Sequence, residues 1–181
     1  MVEIESYHLI GGKVVIKLNE AIERLQLGEV IGVPTDTVYG FASLEFSVDK
    51  IYKLKGREMN KKIIKMISSK EILKIKDNDL LKLMDEVWPG ATTIIFDHNG
   101  SMESFRIPNE KNLLKLLSEI NVPVYVTSAN ESGEKPCVTR KEFEKKFPKV
   151  PLLEEIVECS KSNTPSKILL YNSLNDIIQI R

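Results

Sequence analysis

Residues able to handle an anionic substrate gather at three places in this 181-residue chain. The first is Val33-Pro34-Thr35-Asp36-Thr37-Val38-Tyr39-Gly40, which places two hydroxyls, a carboxylate and a phenol directly after an apolar strand. Pro34 stops ladder hydrogen bonding, and the ends of strands in open sheets are where ligands bind. The same residues also suit a polar turn whose side chains satisfy loose backbone groups. The second place is the stretch from Lys50 to Lys76, where ten basic residues stand against two acids, Glu58 and Glu71. Like charges so crowded favour a polyanionic partner. Lys55 and Arg57 around Gly56, with Lys61 following, could surround a triphosphate, the arginine bidentate and the lysines as point charges. A solvated lysine face is the alternative. The third place is Thr127-Ser128-Ala129-Asn130-Glu131-Ser132-Gly133, again after an apolar run. Its hydroxyl and amide groups suit phosphate or ribose oxygens, or a plain Ser/Thr turn. Arg106, shortly before Pro108, reads either as a solvated edge-strand residue or as an anion contact. Thr164-Pro165-Ser166 precedes a late strand, and the final Arg181 stands where chains ordinarily fray.

Several chemistries are excluded by composition. Two histidines (His8, His98) and two cysteines (Cys137, Cys159) provide no multi-histidine zinc site, no disulfide framework and no obvious Ser/His/Asp or Cys/His arrangement. No Gly-x-Gly-x-x-Gly or Gly-Lys-Ser/Thr occurs, so neither a dinucleotide fingerprint nor a Walker A loop is present. The 26 basic and 26 acidic residues cancel, which argues against a globally basic coat for nucleic acid. No apolar run reaches the roughly 18 residues of a membrane span, and the acidic start lacks the layout of a secretory signal. The expectation is a soluble, cytoplasmic protein. Lysines outnumber arginines 21 to 5, so an arginine here is the more informative residue, placed where a planar fork is needed. What remains is cations, hydroxyls and an amide, a set suited to positioning and electrostatic stabilisation of phosphate chemistry without a covalent nucleophile.

The elements that must position these groups alternate in type. Leu18, Ala21, Ile22 and Leu25 share a helical face that Gly28 ends, and Val30 to Val33 follows as a buried strand. Ser47 to Leu54 reads as a short helix ending near Gly56, and Ile63 to Ile67 as a strand. Leu80, Leu81, Met84 and Val87 make a helix stopped at Trp88-Pro89-Gly90, with the indole in the core. Thr92 to Phe96 and Phe105 to Ile107 are strand-like. Leu113 to Ile120 is amphipathic, with Asn109 as its cap, and Val122 to Val126 is a strand. Thr139-x-x-Glu142 has capping-box spacing for a helix ending near Phe147-Pro148, and strands over 168–171 and 177–180 follow. Interleaved strands and helices with no repeat or linker predict one α/β (α+β) domain over 1–181, a twisted mixed sheet flanked by helices.

In this order the motifs resemble those of the YrdC/Sua5 family of L-threonylcarbamoyladenylate synthases. The resemblance runs over Pro34-Thr-Asp-Thr-Val-Tyr-Gly40, Lys55-Gly-Arg57 with Lys61, Trp88-Pro-Gly90, Arg106-Ile-Pro108, Ser128-Ala-Asn130-x-Ser-Gly133, Pro136-Cys-Val-Thr139 and Pro165-Ser166. It implies a concave, positively charged cleft and a short, single-domain form. It also implies a reaction, in which ATP, bicarbonate and L-threonine become threonylcarbamoyl-AMP and pyrophosphate with Mg2+. The product would feed partner proteins that modify adenosine 37 of tRNA (t6A). By position the resemblance gives Thr35, Tyr39, Arg106 and Ser128 to threonine and bicarbonate. It gives Arg57, Lys61, Asn130, Thr139, Ser166 and Arg181 to ATP, makes Lys55 and Arg57 catalytic, and assigns no metal-ligating residue. Three positions depart from the family pattern: Lys62 replaces a proline, Met66 a histidine, and Lys167 the threonine of a Ser-Thr pair. Two rival functions share the fold. One is a non-catalytic module binding double-stranded RNA or tRNA; the other is a carbamoyl-transfer domain like those of hydrogenase maturation, which sit in larger chains.

Overall fold

The computed structural model of the chain describes residues 15–56, 58–59, 61–154 and 162–181. Helix α1 (Leu18–Gln26) buries Ala21 and Leu25, and Gly28 follows it in the left-handed region at φ +77°. Strand β2 (Ile31–Val33), buried throughout, pairs antiparallel with β3 (Gly40–Ser43). After one turn of 3-10 helix, α2 (Asp49–Lys55) ends at Gly56, whose φ of +56° suits a residue without Cβ. Strand β4 (Ile64–Met66) leads to α3 (Asn78–Val87), capped by Asp77, whose carboxylate accepts from the N–H groups of Asp79 and Leu80. Strands β5 (Thr92–His98) and β6 (Ser101–Arg106) form a hairpin. Next come α4 (Lys111–Ile120), β7 (Val124–Ser128) and α5 (Arg140–Lys146). A short β1 (Val15–Ile16) opens the described residues; β8 (Leu152–Leu153), β9 (Lys167–Ser173) and β10 (Asp176–Gln179) close them.

The ten strands among the described residues join one mixed sheet in the order β1-β8-β2-β3-β7-β4-β6-β5-β9-β10. The strand period of two sends alternate residues to opposite faces. On β3, Phe41 joins Ile51 and Tyr52 of α2 and Phe143 of α5, while Ala42 joins Ala21 and Leu25 of α1 and Leu113, Leu116 and Leu117 of α4. A third cluster sets Leu80, Met84 and Trp88 against Phe96, Phe105 and Tyr171. Each fully buried Phe or Leu removes apolar surface worth roughly 1.5–3 kcal/mol, so the helices hold a rigid sheet whose strand ends can carry a site. No described helix is long and apolar enough to cross a membrane.

The elements expected from periodicity are present, with three corrections. Asn109 does not cap α4; Glu110 does, its carboxylate accepting the Leu113 N–H at 2.6 Å. Arg106 is not on an edge, because β6 lies between β4 and β5 and ends before Pro108. Strand β3 occupies the end of what reads as a polar turn.

Candidate functional site

A cleft of about 210 Å³ opens where several strand ends meet. Its wall takes Thr35, Thr37, Tyr39 and Gly40 from the β2–β3 turn, Ile64 and Met66 from β4, Arg106 from the end of β6, Ser128 from the end of β7, Ser166 ahead of β9, and Arg181. Six residues proposed from sequence (Thr35, Tyr39, Arg106, Ser128, Ser166 and Arg181) therefore meet in one place despite separations of up to almost the whole chain. Gly40 lets the turn sit close to β7. A Cβ there would meet Val126 Cγ1 at 2.9 Å and the Thr127 carbonyl oxygen at 3.0 Å.

The β2–β3 turn is tied together by its own side chains. Thr35 Oγ1 donates to the Val38 carbonyl at 2.6 Å, lies 2.8 Å from Thr37 Oγ1 and accepts the Thr37 N–H at 3.1 Å. The Arg106 guanidinium, 2% exposed, donates through Nε to the Gly90 carbonyl at 2.9 Å and through Nη1 to Thr37 Oγ1 at 3.2 Å. Its Nη2 makes a buried ion pair with Asp36. Burial pulls this guanidinium below the ordinary arginine value; the Asp36 carboxylate opposes that, and the like charge of Arg181 adds to it.

Opposite, Ser166 Oγ lies 2.9 Å from Thr93 Oγ1, and Arg181 Nε donates to the Ser166 carbonyl at 3.0 Å. Backbone bonds between Ile168 and Arg181 hold the end of the chain against β9, which is why the final arginine has a fixed place. Among the described residues no carboxylate pairs with Arg181, which lines the cleft. Burial lowers its pKa from the ordinary arginine value.

Lys55 sits differently from a phosphate contact. It is 3% exposed, and its Nζ donates to the Ser128 carbonyl at 2.5 Å, the Asn130 carbonyl at 2.8 Å and Asn130 Oδ1 at 2.9 Å. An ammonium has three protons, and these acceptors take all of them. Asn130 is equally occupied: Oδ1 also accepts from Ser128 Oγ, and Nδ2 donates to the carbonyls of Glu131 and Glu134. Lys55 and Asn130 thus clasp the loop that delivers Ser128. Thr139 lies outside the cleft lining as the exposed cap of α5, in a complete capping box with Glu142. Lys61 is exposed and also outside the lining. Arg57, an expected phosphate ligand, lies outside the described residues, as do His8 and Cys159.

Two of the three departures fall on the cleft lining, where Met66 is 3% exposed and adds an apolar surface beside Ile64 and Val126. Lys62 lines the rim and donates to the Met102 carbonyl. Lys167 is exposed at the start of β9. Among the described residues no group of three or more His, Cys, Asp or Glu could hold a metal. Sequence reasoning assigned no role to Asp36, Thr37 or Thr93, which the fold places against the proposed residues. Arg106 needing a buried counter-charge was the signal available for Asp36.

A family model described as telomere recombination (Sua5, YciO and YrdC proteins) matches residues 23–178. An uncharacterised protein of Mycoplasma pneumoniae is 35% identical over 112 residues, 62% of this chain and 23% of that protein. The chain thus spans about a quarter of that relative. A threonylcarbamoyl-AMP synthase of Buchnera aphidicola is 30% identical over 175 residues, 86% of this chain and 93% of that protein. The crystal structure of P. abyssi Sua5 complexed with L-threonine superposes with a TM-score of 0.79 at 21% identity, over 93% of this chain and 57% of that one.

Proposed function

Because the chain belongs to the Sua5/YciO/YrdC family, we propose that it is an L-threonylcarbamoyladenylate synthase, a nucleotidyltransferase making threonylcarbamoyl-AMP and pyrophosphate from ATP, bicarbonate and L-threonine. The observation that carries the reading is the convergence of two guanidiniums, Arg106 and Arg181, with hydroxyls of Thr37, Ser128 and Ser166 on one cleft of a size to hold an amino acid. Relatives named for this activity that align over most of their length support it.

In this reading the threonine carboxylate lies toward Arg106, which has two N–H groups left after its contacts with Gly90, Thr37 and Asp36. The threonine amine takes up CO2 with loss of a proton, or bicarbonate with loss of water, to give a carbamate. A carbamate oxygen attacks the α-phosphorus of ATP, and the bond to the β-phosphate oxygen breaks to release pyrophosphate. Arg181 offsets charge developing on the phosphates, a role the resemblance also gives to Arg57 and Lys61. Lys55 acts one step removed, by holding the carbonyls of Ser128 and Asn130. Mg2+ would be held by the phosphate oxygens, since the cleft offers hydroxyls and cations, and when bound it supplies further charge neutralisation. The product would pass to proteins that modify adenosine 37 of tRNA in the cytoplasm.

The test is pyrophosphate release from ATP with threonine and bicarbonate each supplied or omitted. Release that needs both is expected. Release without threonine, or none with all substrates present, would overturn the reading.

A further inference from the structure

Thr93 lies behind the cleft wall and takes no part in the chemistry above. We propose that Thr93 is a positioning residue for the cleft: its hydroxyl donates to Ser166, which leaves the Ser166 hydroxyl to donate outward, beside Arg181, to an anionic oxygen of the substrates. That oxygen belongs to a carboxylate or a phosphate. The proposal rests on the reading of the cleft as the place where threonine and ATP bind.

A hydroxyl inside a strand is disfavoured unless it finds a hydrogen-bond partner. Ile94 packs in the cluster around α3, so the strand period turns Thr93 to the opposite face of β5, where it is fully buried. Its Oγ1 has one partner among the described residues, Ser166 Oγ at 2.9 Å. Were Ser166 the donor in this pair, the Thr93 proton would face no acceptor in a dry interior, and a buried donor left unmade is worse than a spare lone pair. Thr93 therefore donates and Ser166 accepts. Arg181, which only donates, adds a long bond from Nη2 to the same oxygen at 3.5 Å. The Ser166 oxygen then has its own proton to give, and the described residues offer that proton no acceptor. Ser166 lines the cleft and Thr93 does not, so the proton goes to the cleft.

The backbone fixes the distance between these groups. Thr93 and Ile168 are partners in the parallel β5–β9 pairing, and the Lys167 N–H donates to the Ala91 carbonyl at 2.9 Å, so Ser166 enters β9 held against β5. Pro165 restricts the chain from the other side. Arg181 Nε donates to the Ser166 carbonyl at 3.0 Å. Of the five N–H groups of this guanidinium, two meet Ser166 and three remain, on a residue that lines the same cleft. A hydroxyl proton beside a guanidinium edge is a donor set for an oxygen that carries charge. Thr93 itself touches no ligand; it sets which way the Ser166 hydroxyl points.

The experiment is calorimetric binding of L-threonine and, separately, of ATP to the full chain, to Thr93→Val, Thr93→Ser and Ser166→Ala, and to the Thr93→Val/Ser166→Ala double variant. Valine keeps the shape of threonine and removes the hydroxyl, whereas serine keeps the hydroxyl. Thr93→Val is expected to weaken one of the two ligands about three- to tenfold and to leave the other within about twofold, with Thr93→Ser within about twofold of the parent for both. In the Ser166→Ala background the Thr93→Val change is expected to have less than about a twofold effect, because the hydroxyl it acts through is gone. A packing role would not be cancelled in that way. A loss on threonine identifies the oxygen as the carboxylate, and a loss on ATP identifies it as a phosphate. Should Thr93→Val fail to fold, Thr93→Ala takes its place in the same cycle. Binding of both ligands within about twofold in Thr93→Val, equal losses of both, or a loss that persists undiminished without the Ser166 hydroxyl overturns the proposal. A parent chain that binds neither ligand overturns the reading of the cleft and the proposal with it.

Discussion

Lys55→Met separates two roles for this lysine by the sign of its effect on stability. Methionine keeps the apolar stem and removes the ammonium. If the ammonium awaited a phosphate, an empty site would gain from losing a buried cation, and the variant would melt at or above the parent. The structure argues otherwise. The Nζ satisfies two backbone carbonyls, of Ser128 and Asn130, and shares Asn130 Oδ1 with the Ser128 hydroxyl. Without it Oδ1 keeps the Ser128 hydroxyl and the Ser128 carbonyl keeps the Asn130 N–H at 3.1 Å, while the Asn130 carbonyl loses the one donor described for it. An unsatisfied buried carbonyl costs about 1–3 kcal/mol and the lost bond from the ammonium to the Ser128 carbonyl about 1.5–3 kcal/mol, together about 2.5–6 kcal/mol, offset in part by no longer burying a charge. A net loss of about 2–4 kcal/mol lowers the melting temperature by about 4–16 °C at the usual 2–4 °C per kcal/mol for a chain of this size. Thermal melts without ligand measure this, and catalysis below the melt should fall through weaker threonine binding, because Ser128 is no longer held. An unchanged or raised melting temperature with abolished turnover would refute the positioning argument and return Lys55 to the phosphates.

Thr139→Ala should cost about 1 kcal/mol, or about 2–4 °C, by removing the α5 cap; an unchanged KM for ATP would separate the cap from a nucleotide contact. Gly40→Ala should destabilise by about 1–3 kcal/mol, since its Cβ meets Val126 and backbone of Thr127 at 2.9 and 3.0 Å; denaturant titration reads this, and a neutral result would mean that β3 can shift from β7. Tyr171 donates to Asp77 at 2.8 Å, and burial first, then this carboxylate, pushes its hydroxyl up to about 12 from an ordinary value near 10. A raised folded-state value favours the neutral form, so this stability is intact below pH 10 and is lost as pH rises toward 12. Tyr171→Phe should show a flatter stability profile than the parent between those limits, by denaturation at stepped pH.

Much of the architecture was legible because it depends on periodicity. The apolar faces of α1, α3 and α4 and the box at Thr139 each point to one solution. What escaped depends on neighbours distant in sequence. Gly40 reads as a turn residue, yet it begins β3 because no Cβ fits against β7. The β5–β6 hairpin reaches to Ser101, and its turn carried a usable signal: Asn99 and Gly100 take φ of +57° and +81°, as an Asn-Gly hairpin turn requires. Pro108 suggested an edge for Arg106, but the strand stops two residues earlier. In the site, the resemblance named Thr35, Ser128, Ser166 and Arg181, and the fold brings these four to one cleft, while the direction of a long side chain was beyond spacing. Lys55 ends α2 one turn after Ile51, and nothing in that register says its ammonium folds back to residues 128–130.

The lysine-rich stretch shows the same limit in electrostatic form. Counted along the chain, positions 50–76 have ten basic residues against two acids, which suggested a surface for a polyanion. In the fold, Lys53 pairs with Asp49, Lys65 with Glu103 and Lys70 with Asp85, all acids outside the counted window. Lys50 donates to the Gly28 carbonyl and Lys55 is internal. Exposed pairs such as Lys53–Asp49 contribute little to stability, but they cancel charge where a nucleic acid would read it. Binding to RNA through this stretch would have to break them, at a cost that grows with each phosphate contacted. The cleft makes no such demand. Arg181 faces it without an acid among the described residues, and the counter-charge of Arg106 is already built in. Charge that is spent locally is structural, and charge left over beside hydroxyls is what a small anion can use. By that criterion Arg181 is the charge left over in the cleft, and Arg106, its charge answered by Asp36, has only its two remaining N–H groups to offer.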